Sequence, residues 1–479
     1  MATRTKKRTT RKKKAAPRKE PTSLAYDSAE SDTKRRTPST RLKSVDHILT
    51  PTKRKRLVSS TRDIVQNFSI AQWAVKRHLD YNSSFSFQPR TGDDELDRQL
   101  HDLMHWYERP LNCDVSGRHS FCQLIRRGEE RRVVDGDVFL VKMSSGHLQA
   151  IESDRVRTDA MGNSSSDDGL IHGCRVSKGG RLQSIAIHNR TASGGYEFAR
   201  TVRAGNVYQL GYFDRFDQIR GVSPLASSIN AFRDVYEGAD YALAKMKVSQ
   251  LFGLAFYREN PDEFGVTAGS DDAGYDVDFG RGPVMLDLSP GDRAEFLESK
   301  SPHQEFQSFM ETMIGVALKS LGIPFSFYAE NFTNFFGAKS AAIHYEKSCK
   351  SRRATLRELL DRITLWRLGL FIQDGDLVLP AGMQLSGVEW EWVHDGTPWW
   401  DPSKEVRGDV LAIASGLKTR SQVIKERHGR DFRDVVDQLA REEQYIKDAG
   451  ITVETDKIII SGDTDDEEED QEEQTPGRP

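Results

Sequence analysis

Apolar residues recur at steps of three and four along three stretches between Gly221 and Phe371, and these stretches organise the chain. The first opens at Ser223-Pro224 and carries Leu225, Ile229, Phe232, Tyr236, Ala239, Leu243 and Met246. That spacing predicts a long straight helix, with Pro early, where its missing N–H costs nothing. The second runs from His303 to Leu321 through Phe306, Phe309, Met313 and Ala317, and Gly322-Ile323-Pro324 ends it. The third holds Ala342, Tyr345, Cys349, Leu356, Leu359, Ile363, Trp366 and Leu370 on the same ladder, interrupted by Arg352. The first helix should span roughly 40 Å and the third roughly 45 Å. Propensity alone stabilises such helices weakly, so they need partners along their whole length. The pattern predicts a shaft of helices lying side by side, between copies of the chain.

Structure is expected to begin near Ser60. Thr61 to Leu79 reads as a helix, with Ile64, Val65, Phe68, Trp73 and Val75 among charges. Asp94 to Tyr107 follows, with Leu96, Leu100, Leu103 and Tyr107 on one face, and a third helix starts near Gly117 and runs through Phe121, Leu124 and Ile125. Strands are expected at Val138–Val141, Leu182–His188, Tyr196–Val202 and Asn206–Tyr212, separated by turn residues such as Ser193-Gly194-Gly195. This is an α+β region. Beyond the first long helix, Gly, Asp and Pro dominate from Gly253 to Pro290, and an aromatic, amide-rich loop runs from Phe325 to Gly337. Past Phe371 come short strands, clearest at Val388–Val393, a Trp399-Trp400 pair, and two or three short helices over Lys404–Asp448.

A chain of 479 residues can form about three domains. Its net charge of -3 conceals an asymmetry: Arg4 to Lys19 is basic without an acid, and Asp463 to Glu473 is acidic without a base. Such blocks repel and bury little, so both termini read as solvated tails. The Lys, Arg, Thr, Ser and Pro of Met1–Arg56 suit either a counterion-releasing arm on nucleic acid or a solubilising tail. Four cysteines without CxxC pairing point to a reducing compartment. No apolar run approaches the ~20 residues of a membrane span, and the basic start lacks a signal peptide's apolar segment. These features predict a soluble intracellular protein.

Enzyme chemistry finds no foothold. There is no GxxxxGK[ST] phosphate loop and no Gly-x-Ser-x-Gly elbow. His101 and His105 lie one helical turn apart, but no Glu follows His101 as in a zinc protease. Asp271, Asp272, Asp276 and Asp278 miss the EF-hand spacing. Glu129, Glu130, Asp135 and Asp137 form the kind of cluster that nucleases use for Mg²⁺, without an interpretable spacing. No catalytic residue, metal site or cofactor is expected. Two stretches read as contact surfaces instead. The third helix carries Lys339, Lys347, Lys350, Arg352, Arg353 and Arg357, a stripe suited to a phosphate backbone or to ion pairs with Glu346 and Glu358. The loop before it presents Asn331, Phe332, Asn334, Phe335 and Phe336, either as buried anchors or as a contact with a moving strand.

At these residues the chain resembles the lambda-type portal proteins of tailed bacteriophages. The stretch Asp214-Arg215-Phe216-Asp217-Gln218-Ile219-Arg220-Gly221-Val222-Ser223-Pro224-Leu225 is similar to that family's Arg-x-x-Gln-x-Arg-Gly-Val-Ser entry into its long helix. Gly322-Ile323-Pro324 with the aromatic loop and Ser340-Ala341-Ala342 also fits, as does Asp401-Pro402-Ser403-Lys404-Glu405 before Ala414-Ser415-Gly416-Leu417. The resemblance covers roughly Thr61 to Gly450; the long basic arm and the acidic tail depart from it.

The resemblance implies a homo-oligomeric ring, usually a dodecamer, at one capsid vertex. Its parts would be a basic disordered arm (1–58), an α+β wing (59–221), a stem helix (222–252), a clip (253–289), a second stem helix (290–321), a tunnel loop (322–337), a long helix with wing return (338–403), a helical crown (404–450) and an acidic tail (451–479). Double-stranded DNA would pass through the bore without sequence reading. The terminase large subunit would dock on the clip, head-completion or adaptor proteins would replace it, and the major capsid or scaffold protein would surround the ring. Two other readings are a metal-dependent nuclease or packaging enzyme subunit, and a cytosolic coiled-coil scaffold.

Overall fold

The computed structural model describes residues 43–158, 170–249, 254–258, 292–296, 304–330, 335–396 and 402–450. The N-terminal region runs α1 (Val45–Ile48), α2 (Pro51–Asn67), α3 (Ser69–Asn82), β1 (Phe85–Pro89), α4 (Asp94–Tyr107), α5 (Pro110–Cys113) and α6 (Phe121–Asp135). Seven strands follow: β2 (Asp137–Lys142), β3 (Leu148–Glu152), β4 (Leu170–Ile171), β5 (Cys174–Val176), β6 (Leu182–Arg190), β7 (Tyr196–Arg203) and β8 (Val207–Gly211). The 3-10 turn Pro224–Ser227 leads into α7 (Ile229–Ser249). Then come β9 (Leu254–Arg258), β10 (Asp292–Phe296), α8 (Gln304–Leu318), α9 (Phe325–Ala329), α10 (Phe335–Asp374), β11 (Trp390–His394), α11 (Pro402–Ala414), α12 (Arg420–His428) and α13 (Phe432–Asp448).

Strand pairing is antiparallel in four small sheets, ordered β1-β11, β9-β10, β3-β2-β8 and β4-β5-β6-β7. Around them lie three apolar cores. One joins α4, α6, β1 and β11 to the second half of α10, from Leu356 to Phe371. Another, at the junction, joins α2 and α3 to Leu225, Ile229, Phe232 and Val235 at the start of α7, to Ile314–Ile323, and to Tyr345 and Cys349. The last lies between the sheets, around Phe139, Ile151, Ile185 and Ile187.

The structure departs from the sequence expectations where tertiary partners outweigh local pattern. The described residues include helix ahead of the expected arm boundary at 58: α2 starts at Pro51 and buries Arg54. Thr61–Leu79 is two helices, not one. The break is at Phe68, whose backbone is extended and whose ring meets Tyr236 at 4.6 Å between centroids. The helix expected from Gly117 begins at Phe121, where Ser120 and Gln123 form a capping box that satisfies its first N–H groups.

The segment expected to be helical from 290 opens with β10, whose backbone pairs with β9; the rest of the 253–289 segment lies outside the described residues. Within the loop expected over 322–337, Phe325–Ala329 forms one helical turn, ended by Glu330 at φ +47°. Helix α10 then takes in Phe335, Phe336 and Gly337, reaching 40 residues. That is about 60 Å, longer than the sequence suggested.

The entry into α7 is fixed by a buried ionic cluster. Arg220 is 1% exposed and Asp137 fully buried. Arg220 donates from Nε to Asp137 Oδ2 at 2.7 Å and from Nη2 to Oδ1 at 2.9 Å. Its remaining donors reach the carbonyls of Val156, His172 and Ser153. Arg54 donates to Asp137 Oδ1 at 3.0 Å and to the Gly221 carbonyl at 2.8 Å. Burial pushes the Asp137 carboxyl up, but Arg220 and Arg54 outweigh it and hold it at about 2. Next to the cluster, Gly136 and Gly221 touch backbone to backbone; a Cβ on Gly221 would lie 2.1 Å from the Gly136 carbonyl oxygen. Only glycine fits there.

Replacing Asp137 by Asn removes the charge that compensates two buried guanidinium groups. The expected loss is about 3–5 kcal/mol in denaturant unfolding; a loss within experimental error would show that the cluster does not hold the fold.

Candidate functional site

The first candidate surface is the loop before α10. Asn331, Phe332 and Asn334 lie outside the described residues, and Phe335 and Phe336 form the first residues of α10. Lys339, one turn further on, donates to Glu405 Oε1 of α11 at 2.6 Å. It ties the start of the long helix to the C-terminal helices.

The basic stripe divides in two. Lys347 and Lys350 are exposed. Arg353 is buried, gripping Glu346 through Nη1 (2.6 Å) and Nη2 (2.7 Å) and donating to the Tyr81 carbonyl at 2.8 Å. Arg352 turns toward the junction and donates to the Leu321 carbonyl at 2.8 Å. Within this chain the two arginines join elements together, and only the two lysines are offered to solvent.

Arg352 also ends a relay that sequence reasoning did not find. His78 of α3 and Glu129 of α6 are fully buried, with His78 Nε2 3.1 Å from Glu129 Oε1. His78 Nδ1 lies 3.3 Å from Arg352 Nη1. A guanidinium can only donate, so Nδ1 accepts and Nε2–H donates to Glu129: the neutral tautomer. Glu129 Oε2 receives Arg132 at 3.0 Å, and the Arg132 guanidinium stacks over the Tyr212 ring at 4.0 Å. Burial pushes the His78 pKa down against the Glu129 hydrogen bond. Burial pushes Glu129 up, but Arg132 and His78 bring it below the usual carboxylate range. The relay links α6, α3 and α10 to the turn at which α8 ends. Its sequence signal is spacing: His78 falls on the same helical face as Ala71, Ala74 and Val75.

The suspected carboxylate cluster is dispersed. Glu130 pairs with Arg127 and Arg131, Asp135 with Arg62, and Asp137 with the arginines of the buried cluster. Asp135, Glu152 and Asp154 do converge, with ligand atoms within 4.8 Å of one another. Arg62 Nη2 reaches all three at 2.6, 3.3 and 2.8 Å, supplying the positive charge a cation would bring. The rings of His101 and His105 stack at 6.4 Å on an exposed face, and the Asp271–Asp278 group lies outside the described residues.

Among the described residues, what is left uncovered is apolar helix surface. The α7 seam is buried through Val235, then Tyr236 and Leu243 are each 49% exposed, and Tyr241 on the opposite face is 74% exposed. On α8, which packs against α7 with Met310 seated on Gly238, Phe309 and Val316 are 58 and 53% exposed. Helices α11 and α13 show Leu411 at 69% and Tyr445 at 76%. Such faces are covered in a stable assembly. Among the described residues no helix is long and apolar enough to cross a membrane.

Residues 32–353 match the family described as phage portal protein, lambda family. The chain is 24% identical over 397 residues to a probable portal protein of Halomonas phage phiHAP-1, covering 75% of this chain and 72% of that one. Among solved structures it is similar to a chain in the neck of an empty gene transfer agent (GTA) particle computed with C6 symmetry. The identity is 14%, coverage 76% of this chain and 92% of that one, and the TM-score 0.45. A chain in the virion of a native GTA particle gives 15%, 77%, 92% and 0.42.

The relay predicts a pH dependence. His78 has its pKa lowered on folding, so the unfolded state binds the extra proton below about 6.5. Stability is complete above that value and declines as pH falls below it. His78→Gln keeps a donor and an acceptor but cannot titrate, so it should flatten this slope in thermal unfolding. His172 and His394, also pushed down by burial, leave a residual slope. An unchanged slope would remove His78 from the account.

Proposed function

Because the chain belongs to the lambda family of phage portal proteins, we propose that copies of it close into a ring around a DNA-conducting bore at one capsid vertex. One observation carries the ring: the apolar seam of α7 continues past the point where the described residues cover it. A heterologous ring needs two different complementary faces per subunit, and the exposed sides of α7 and α8 provide long ones.

On this reading residues 59–221 are the wing, with β11 returning to pair with β1. Helices α7 and α8 are the stem, the hairpin β9-β10 roots the clip, and α11–α13 are the crown. The segment with Asn331, Phe332, Asn334, Phe335 and Phe336 is the tunnel loop, and Lys339 braces its exit against the crown. Lys347 and Lys350 are the cations free to meet phosphate, and their contact is non-sequence-specific. A bore through which DNA slides should hold few such charges, since each neutralised phosphate adds affinity. The partners of this reading are a terminase large subunit during packaging, head-completion or adaptor proteins afterwards, and a dodecameric set of neighbours within a capsid or scaffold shell. The arginine-paired carboxylates favour a structural role over metal-dependent cleavage.

Negative-stain microscopy of the purified chain tests the proposal: rings with an axial hole are expected, while rods or compact monomers would overturn it. Leu243→Asp should leave the single chain folded and abolish rings, because it puts a charge in the exposed part of the seam without touching a buried core. Reversing Lys347 and Lys350 to Glu should lower packaged DNA while rings persist; unchanged packaging would remove the lysines from the bore.

A further inference from the structure

The loop between β8 and α7 lines a cavity of about 380 Å³, closed on its other side by β5 and β6. Its apolar walls are Val176, Leu182, Phe213, Phe216 and Ile219, and Asp214 stands at its rim. Phe216 is fully exposed and Phe213 is 44% exposed. A bare Phe beside an apolar hollow is costly in water, and nothing in the described residues fills the space between them.

The described chain starts at the edge of this hollow. The Lys43 carbonyl accepts from Arg215 Nη1 at 3.1 Å. Three residues on, the Asp46 carboxylate accepts the Ile219 N–H at 2.9 Å and the Arg220 N–H at 3.4 Å, and the Asp46 carbonyl lies 3.1 Å from His172 Nε2. The N-terminal segment is thus pinned across the same loop that lines the cavity. The residues just before Lys43 are Thr37-Pro38-Ser39-Thr40-Arg41-Leu42, and Leu42 is the one large apolar side chain between Asp27 and Ser44. Next to it, Arg41 is opposite in charge to the carboxylates of Asp214 and Asp217.

We propose that this cavity is the seat of the chain's own segment 37–42, with Leu42 between Phe213 and Phe216 and Arg41 against the loop carboxylates. The segment roots the basic arm. Everything before Thr37, including the cations of Arg4–Lys19, then leaves the molecule at one fixed point on the loop that feeds Arg220 into the buried cluster. A pull on the arm reaches the start of α7 through Arg215, Ile219 and Arg220. This holds whether or not the chain forms a ring.

Limited trypsin digestion of the full chain, followed by mass spectrometry, tests the seat. Cleavage after Arg35 and Arg36 should be fast and cleavage after Arg41 slow. Phe216→Ala alters a side chain with no buried contact, so the fold survives; it should speed cleavage after Arg41 about tenfold, in proportion to the opened population. Hydrogen exchange over residues 213–219 should rise in Leu42→Asp. Equal cleavage at all three arginines, or no response to either substitution, would overturn the proposal. Protection of 213–219 that survives Leu42→Asp and grows with protein concentration would overturn it too, giving the cavity to a neighbouring copy.

Discussion

Asp137 is the constraint on which the arrangement of this chain depends. Its carboxylate sits at zero exposure between two guanidinium groups contributed from positions 54 and 220. A buried charge persists only when its partners are in place, and here the partners come from α2 and from the residue before the α7 entry. Asp46 adds a second carboxylate to the backbone of Ile219 and Arg220. Two arginines thus face two aspartates, with most lone pairs and donors used on backbone. The direction in which α7 leaves the sheets follows from this neutral cluster and from the glycine contact beside it.

Once α7 is aimed, its composition decides the rest. The first part of its seam meets α2, α3 and α8 in the junction core, and the second part runs beyond them. Among the described residues no element covers Tyr241 or Phe309. Neighbouring copies around a closed ring would cover such faces repeatedly. Helix α10 plays a different part: its first half joins the junction core and its second half the core of β1 and β11, so it spans both. Arg352 and Arg353 tie its first half to the junction through the Leu321 and Tyr81 carbonyls.

Much of this was legible in residue spacing. The three long helices, the β6-β7 hairpin and the C-terminal helices follow from periodicity and glycine placement. Arg352 falls seven residues after Tyr345, three after Cys349 and four before Leu356, so it lies within the buried ladder; counting lysines and arginines as one stripe ignored that wheel. Arg54 was hidden because a run of Lys and Arg reads as solvated, and nothing local distinguishes the residue that finds a carboxylate 83 positions away. The break at Phe68 and the buried neutral His78 likewise depend on partners distant in sequence. The Arg220-Gly221 pair was legible as a motif, but its reason, one donor set and one Cβ-free contact, needed coordinates.

The most direct measurement is hydroxyl-radical footprinting of the chain in its assembled and dissociated states. The account predicts that Tyr241, Leu243 and Phe309 lose most of their oxidation on assembly while the buried Tyr208 and Trp392 stay protected in both. Equal oxidation of the α7 and α8 residues in the two states would contradict it.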